Sequence, residues 1–237
     1  GRGVENFPDL ALAPIPLQEY PMEMLPTLSE IEGARSLIRP HFPETPSYRW
    51  PLLEAGLDLE LWVKHENHSP VGAFKLRGGL VYLDELKRRE PGGGGVIAAT
   101  TGNHGQSIAY AARENGLRAV FVVPPANNPE KNEAMRALGA DIVEHGTEFQ
   151  EALEFSRELA AREGLHPVPS FHPWLVRGVA TYGLELFEAV ADLDVVFVPV
   201  GLGSGFCGLA AARKALGLKT KLIGVVSELA PAYALSF

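Results

Sequence analysis

A lysine stands at the point where a loop rich in proline and glycine passes into an apolar-periodic segment, within the stretch Ser69–Gly79. Lys75 follows Phe74 directly, so the sequence predicts a lysine held at a backbone junction and partly withdrawn from water. Burial disfavours the charged form of a lysine, and the resulting free amine can act as a nucleophile or a base. The alternative is a solvated lysine near a helix start, without a chemical role.

A second polar segment, Thr100–Gln106, lies between a predicted strand and a predicted helix. Ligands bind at the carboxyl edge of a parallel sheet, and the hydroxyls, exposed N–H groups and helix dipole found there favour a carboxylate or another small anion. The alternative is that Thr101 or Asn103 only caps the helix. His104 alone is interpreted as a packing or capping residue.

A third segment, Val198–Gly208, runs from an apolar strand through a glycine-rich loop into a helix. Free N–H groups, the Ser204 hydroxyl and a helix N-terminus predict a phosphate site, and a tight turn is the alternative. Gly203, Gly205 and Gly208 also match the dinucleotide-binding pattern G-x-G-x-x-G, so an NAD-binding or flavin-binding protein is a rival hypothesis. That rival gives no role to Lys75 or to residues 100–106.

The elements that must position these segments are short apolar strands alternating with helices. The pattern predicts strands over Leu59–Lys64, Val96–Thr100, Ala119–Val123, Asp141–Glu144, Val195–Val200 and Leu222–Val226. It predicts helices over Leu76–Arg89, Asn103–Asn115, Pro129–Leu138, Thr147–Arg162 (with Thr147 as N-cap), Gly178–Val190 and Phe206–Leu216. Such alternation predicts an α/β protein with mostly parallel sheets flanked by helices.

The expected division is into two lobes. Residues 1–90 form an N-terminal arm and the first part of a large lobe, residues 91–172 a small inserted α/β lobe, and residues 173–237 the rest of the large lobe. The first forty-odd residues are rich in proline and predict an extended arm. The arm, Phe7 to Pro46, is a candidate dimer contact, with wrapping around its own subunit as the equal alternative, and we expect a homodimer.

Composition narrows the class of partner. The net charge is −8 and the pI about 5.4, which argues against nucleic acid or an anionic membrane. The sequence has neither a long apolar run nor the apolar core of a signal peptide, so we expect a cytoplasmic protein. The single Cys207 excludes an internal disulfide and a multi-cysteine metal site.

Taken in order, the segments resemble the pyridoxal-phosphate enzymes of the tryptophan-synthase-β fold type, and among them the serine/threonine dehydratases. The matching stretches are Thr45-Pro46, Val63–Asn67, Gly72–Gly78, Thr101–Gln106, Gly139–Asp141, Phe171–Pro173 and Pro199–Gly205. They follow the order of that family and cover nearly the whole chain from residue 45 onward. The resemblance implies a two-lobed fold with twisted, mostly parallel sheets and pyridoxal 5'-phosphate as the cofactor.

The resemblance also implies a role for each matching residue. Lys75 would carry the cofactor as a Schiff base and, with Thr101, be catalytic. The implied cofactor-binding residues are Phe74, Lys75, Asn103, Gly201, Leu202, Gly203, Ser204 and Gly205. The implied substrate-binding residues are Thr100, Thr101, Gly102, Asn103 and His104.

The implied reaction is β-elimination from L-threonine or L-serine, which gives a 2-oxo acid and ammonia. The alternatives are an amino-acid racemase or another lyase of this fold, a non-catalytic ligand-binding module, and the dinucleotide-binding protein noted above.

The sequence departs from the family pattern at several positions. Leu202 and Ser204 replace glycines of the usual phosphate loop, and Thr101 replaces a serine that serves as a base in related racemases. Val226 replaces the glutamate of metal-activated members, so we expect no metal. The family continues beyond the position of Phe237, so we expect the C-terminal part of the fold to be missing and the 237-residue chain to have reduced activity or none.

Overall fold

The computed structural model describes residues 25–235. The strands are β1 (Ser47–Arg49), β2 (Trp62–Lys64), β3 (Val96–Ala99), β4 (Ala119–Val123), β5 (Asp141–Glu144), β6 (His166–Pro167), β7 (Val195–Pro199) and β8 (Lys221–Val225). The helices are α1 (Leu28–Ile38), α2 (Pro51–Glu54), α3 (Lys75–Arg89), α4 (Asn103–Asn115), α5 (Pro129–Ala137), α6 (Phe149–Glu163), α7 (Pro173–Ala189), α8 (Ser204–Ala215) and α9 (Ala232–Leu235).

A parallel sheet in the order β5-β4-β3-β6 lies at the centre of residues 96–167. Its inner strands, β3 and β4, are buried along their whole length. Val96 and Phe121 pack with α3 and α4, whereas Ile97 and Val120 pack with α6 on the opposite face. Successive side chains of a strand point to opposite faces, so a sheet covered on both faces needs an unbroken apolar strand.

A separate parallel pair, β7 and β8, follows in the chain. Val198 and Leu222 pack into a core formed with α7 and α8, whereas Phe197 and Val225 are exposed. The two helices lie close together because Gly208 has no side chain: a Cβ at this position would lie 2.9 Å from the Ala180 nitrogen. The remaining strands, β1 and β2, form an antiparallel pair.

Helix α3 is packed between α4 and α7, and glycines on its first turns allow both contacts. A Cβ at Gly79 would overlap with Ser107 of α4, and one at Gly78 would lie 2.8 Å from the Leu175 carbonyl oxygen of α7. The start of α3, where Lys75 lies, is therefore in close contact with α4 on one side and with α7 on the other.

The prediction of an extended N-terminal arm is wrong for the part that the structure describes; residues 7–24 of the arm lie outside it. Thr27 and Glu30 form a capping box, in which the Thr27 backbone and hydroxyl both donate to Glu30 at 2.8 Å. This box starts α1, and Ile31 and Ile38 on the inner face of the helix are buried. The proline-rich flanks concealed the Thr-x-x-Glu signal.

Other predicted elements differ in smaller ways. Thr147 does not cap α6, because its N–H and hydroxyl donate to Glu151 and the N-cap position is Glu148. Helix α7 begins at Pro173, five residues before the predicted start at Gly178. Strands β1 and β6 were not predicted, since both are very short. Of the helices within residues 25–235, none is long and apolar enough to span a membrane.

Candidate active site

Lys75 is the first residue of α3, and its surroundings withdraw it from water. The Ser107 hydroxyl of α4 donates to the Lys75 carbonyl oxygen at 2.6 Å, which fixes the backbone at this point. The ammonium nitrogen lies 5.6 Å from the centroid of the Phe74 ring. Burial lowers the pKa of Lys75. The sequence-based expectation of a held and partly desolvated lysine is therefore confirmed.

Two residues beyond the lysine, Arg77 anchors α3 in a buried ionic network. Arg77 is 1% exposed and donates to Glu66 and Glu185, while Lys64 donates to Glu185 at 2.7 Å. Thr45 and Thr181 hydroxyls also accept from the guanidinium. Two cations therefore face two carboxylates, which is the condition for charges to be tolerated away from water.

The 100–104 turn (Thr100–His104) is organised by the first of its hydroxyls. Thr100 Oγ1 accepts hydrogen bonds from the N–H groups of Gly102 at 3.2 Å and Gly105 at 3.0 Å. Thr100 is buried, whereas Thr101 and Asn103 are exposed. The N-cap residue of α4 is Gly102, so the alternative of Thr101 or Asn103 as a simple cap is not observed. Thr100 thus occupies the Gly102 and Gly105 N–H groups, while the N–H groups of Asn103 and His104, which have no acceptor among the described residues, remain available to an anion.

His104 is the buried member of this turn. Desolvation, helped by the positive charge of Lys75, lowers the pKa of His104 to about 4, although a hydrogen bond with the Val168 backbone opposes that shift. Its Nε2 atom is buried and has no hydrogen-bond partner among residues 25–235. The imidazole is therefore neutral at ordinary pH and lies within electrostatic reach of Lys75.

The structure adds one residue that sequence reasoning missed. Lys131 of α5 donates to Asn103 Oδ1 at 2.9 Å, and its aliphatic stem lies against Gly102. No local signal indicates this contact, because the two residues are 28 positions apart and lie on different helices.

The 201–205 loop (Gly201–Gly205) leads into α8. Gly203, the N-cap residue, adopts a left-handed conformation with φ of 89°, which favours glycine, and within the described part of the chain no side chain caps the helix. Ser204 is buried, while Gly201 and Leu202 are exposed, and the space around Gly201 is open. The uncapped N–H groups at the start of α8 suit a phosphate group.

Gly205 brings this loop to the lysine. A Cβ at Gly205 would lie 3.2 Å from the Phe74 ring, so the glycine lets the ring pack against the start of α8. Tyr182 donates to the Gly205 carbonyl oxygen at 2.8 Å, and its ring centroid lies 6.0 Å from that of Phe74. Lys75 therefore lies next to the starts of both α4 and α8.

Gly205 and Gly208 both permit close packing, against Phe74 and Ala180 respectively. These contacts account for the glycine spacing that suggested a dinucleotide site.

Comparison with known proteins agrees with this arrangement. The family model described as "Pyridoxal-phosphate dependent enzyme" matches residues 38–237. The chain belongs to this family. The prediction of family and cofactor is thereby confirmed, and the dinucleotide-binding alternative is not supported.

Among curated members, the L-threonine dehydratase biosynthetic IlvA of Haemophilus influenzae is 37% identical over 185 residues, which are 78% of this chain and 36% of that protein. Among solved structures, a threonine deaminase from T.th. aligns with a TM-score of 0.79 and 34% identity over 87% of this chain and 67% of that chain. Maize serine racemase aligns with a TM-score of 0.83 and 26% identity over 89% of this chain and 64% of that chain. The prediction of a tryptophan-synthase-β-like α/β fold is confirmed.

The chain spans about a third of the length of the first curated relatives, with 36% of the Haemophilus influenzae protein covered.

The described residues fit pyridoxal phosphate. They offer an amine of lowered pKa at Lys75, an apolar ring beside it at Phe74, and an uncapped helix start at Ser204 for the phosphate. They also offer a buried, unpartnered His104 Nε2 close to the lysine.

Proposed function

We propose that this protein removes the β-hydroxyl and the amino group of L-threonine or L-serine and releases a 2-oxo acid and ammonia. The observation that carries the proposal is the position of Lys75, an amine of lowered pKa beside the starts of α4 and α8. The threonine dehydratase and threonine deaminase relatives support the choice of substrate class.

The cofactor residues form one proposed set around Lys75. The Lys75 amine would hold the aldehyde carbon of pyridoxal phosphate, and Phe74 would pack against the ring. The residues proposed to hold the phosphate are Gly201, Leu202, Gly203, Ser204 and Gly205. Asn103 would donate from its amide to the ring oxygen. When bound, the cofactor supplies an electron-withdrawing ring that stabilises negative charge at the substrate α-carbon.

The substrate residues form a second proposed set on the 100–104 turn. The N–H groups of Asn103 and His104 at the start of α4 would bind the α-carboxylate, because the helix dipole favours an anion there. Thr100 holds the turn in shape through Gly102 and Gly105. Lys75 Nζ, whose free amine is favoured by burial, would take the α-proton. Thr101, with an exposed hydroxyl, is proposed to face the substrate.

A racemase is the second candidate function. It is favoured by the match to maize serine racemase and by the exposed Thr101 side chain, whose hydroxyl could act on the face of the α-carbon opposite Lys75. The two functions differ in product: a racemase gives the D-amino acid, whereas the dehydratase gives a 2-oxo acid.

The experiment combines labelling with product analysis. The protein is incubated with pyridoxal phosphate, reduced with borohydride and digested, and the cofactor-bearing peptide is identified by mass spectrometry. We expect the label on Lys75, its loss in Lys75→Ala and its retention in Lys219→Ala, which removes an exposed lysine. We also expect a 2-oxo acid from L-threonine or L-serine.

Absence of label at Lys75 would overturn the cofactor assignment. Label at Lys75 with a D-amino acid as the only product would favour the racemase, and label without any product would favour a non-catalytic binding module.

Four of the sequence-based expectations stay predictions. They are the lobe boundaries after residues 90 and 172, the homodimer, the cytoplasmic location and the lack of a metal near Val226.

A further inference from the structure

Helix α5 packs against the 100–104 turn through residues one helical turn apart. Met135 occupies the space that a side chain at Gly105 would fill, and the stem of Lys131 lies 3.5 Å from a Cβ position at Gly102. Side chains four residues apart share one face of a helix. The lack of a side chain at Gly105 therefore sets the position of α5, and that position carries the Lys131 ammonium to the turn.

The start of α5 is itself held in place. Asn128 caps it by accepting from the Glu130 N–H at 2.8 Å, and Asn127 Nδ2 donates to the buried Asn132 Oδ1 at 2.6 Å. Lys131 lies in this first turn and is half-buried. A lysine whose backbone is fixed and whose stem is packed loses less side-chain entropy when its ammonium binds a partner.

The partner of Lys131 determines which way the Asn103 amide faces. An ammonium group has three donors and no acceptor, so only the amide oxygen can lie against it. Lys131 Nζ lies 2.9 Å from Asn103 Oδ1, and Asn103 Nδ2 with its two N–H donors therefore faces away from α5. The Asn103 amide is exposed and would be free to flip without this contact.

We propose that Lys131 is a positioning residue that orients the Asn103 amide so that its Nδ2 donors face the cofactor ring. This inference rests on the proposed function, which places pyridoxal phosphate at Lys75. In this role Lys131 acts through Asn103, the residue to which its ammonium donates. A hydrogen bond from a charged donor is stronger than one between neutral groups, so the Lys131 ammonium holds the Asn103 amide firmly in one orientation.

The first test uses NMR spectroscopy to observe the Asn103 side-chain amide in the cofactor-free protein. Side-chain ¹⁵N–¹H signals of asparagine are recorded for the wild-type protein, and the Asn103 pair is assigned from its loss in Asn103→Asp. We expect the Asn103 Nδ2 signals to shift in Lys131→Met and to stay in place in Lys219→Met, which removes the same charge at an exposed site. Unchanged Asn103 signals in Lys131→Met would overturn the proposal.

The second test measures the affinity of the protein for pyridoxal phosphate. The cofactor is titrated into the protein, and binding is monitored through the visible absorbance band of the bound cofactor. We expect Lys131→Met to bind roughly 5- to 30-fold more weakly, as for the loss of one charge-assisted hydrogen bond. Lys131→Arg keeps a donor-only cation and should recover most of the affinity. Unchanged affinity in Lys131→Met would overturn the proposal.

Asn103→Leu separates an action through Asn103 from any other role of Lys131. It removes the Nδ2 donors without adding a charge, so we expect a loss of affinity at least as large as that of Lys131→Met. Because Lys131→Met misorients the donor that Asn103→Leu removes, the double variant should bind no more weakly than Asn103→Leu alone. Additive losses would contradict an action through Asn103.

Failure of the cofactor assignment, on which this inference rests, gives a different result. In that case the wild-type protein would show no cofactor on Lys75 after borohydride reduction, whatever the Asn103 signals do.

Discussion

Arg77 and Glu185 form a two-point ion pair across the interior of the protein. Arg77 Nη1 donates to Glu185 Oε1 and Nη2 donates to Oε2, each at 2.8 Å, and the side chains are 1% and 5% exposed. The pair joins the first turn of α3 to α7. Since Lys75 lies two residues before Arg77, the pair fixes the segment from which the lysine projects.

Loss of the Arg77 guanidinium should be costly. Arg77→Met leaves the Glu66 and Glu185 carboxylates in the interior without their main partner, and removal of one member of a buried pair typically costs about 3–5 kcal/mol. We expect the free energy of unfolding, measured by urea titration at neutral pH, to fall by about that amount.

Arg118→Met is the matched control. Arg118 pairs with Asp141 and Glu163 at the surface, where its side chain is 50% exposed. Exposed pairs contribute about 0–1 kcal/mol, so this variant should unfold close to the wild-type midpoint. Equal losses in the two variants would contradict a special role for the buried network.

The crossing of α3 and α7 depends on Gly178. A Cβ at this position would overlap with the Arg77 carbonyl group, which is backbone and cannot swing aside. We therefore expect Gly178→Ala to destabilise the protein by about 1–3 kcal/mol, as overpacking of a core does, and to lower the melting temperature measured by circular dichroism.

Gly33→Ala is the control for that substitution. Gly33 lies inside α1 with open space around it, and alanine favours a helix interior over glycine by about 0.5–1 kcal/mol. The melting temperature of Gly33→Ala should rise or stay constant. A stable Gly178→Ala protein would mean that the two helices can separate without penalty.

Much of this fold was predictable because its strands and helices are regular. β4 and α4 have the predicted bounds, since β4 is an apolar run ended by Pro124 and α4 is ended by Gly116 in the left-handed conformation. The start of α7 was missed because Pro173 reads as a helix breaker, although proline is well suited to the first helical position. Helix α1 was missed because prolines surround it.

The candidate site was predictable only in part. Residue types and loop chemistry predicted the segments around Lys75, the 100–104 turn and the 201–205 loop. Lys131 was not predictable, because its contact with Asn103 depends on how α5 packs on Gly105. The burial of His104 depends likewise on tertiary packing, which no local pattern encodes.

The stability of the protein should depend on pH through His104. The pKa of His104 falls from its usual 6.5 to about 4, first because the ring is desolvated and second because Lys75 is positively charged. Between these values the unfolded chain binds a proton that the folded protein does not. Protonation therefore favours unfolding, and the contribution of neutral His104 to stability is lost as the pH falls from 6.5 towards 4.

His104→Asn tests this contribution, because asparagine keeps a short amide for the Val168 backbone but does not titrate. We expect the wild-type protein to lose about 1–3 kcal/mol more unfolding free energy than this variant on acidification from about pH 7.5 to about pH 4.5. Urea titrations at both pH values measure the difference. His68→Asn, which replaces an exposed histidine, should follow the wild-type pH dependence. Parallel curves for wild-type protein and His104→Asn would show that His104 is not held neutral by burial.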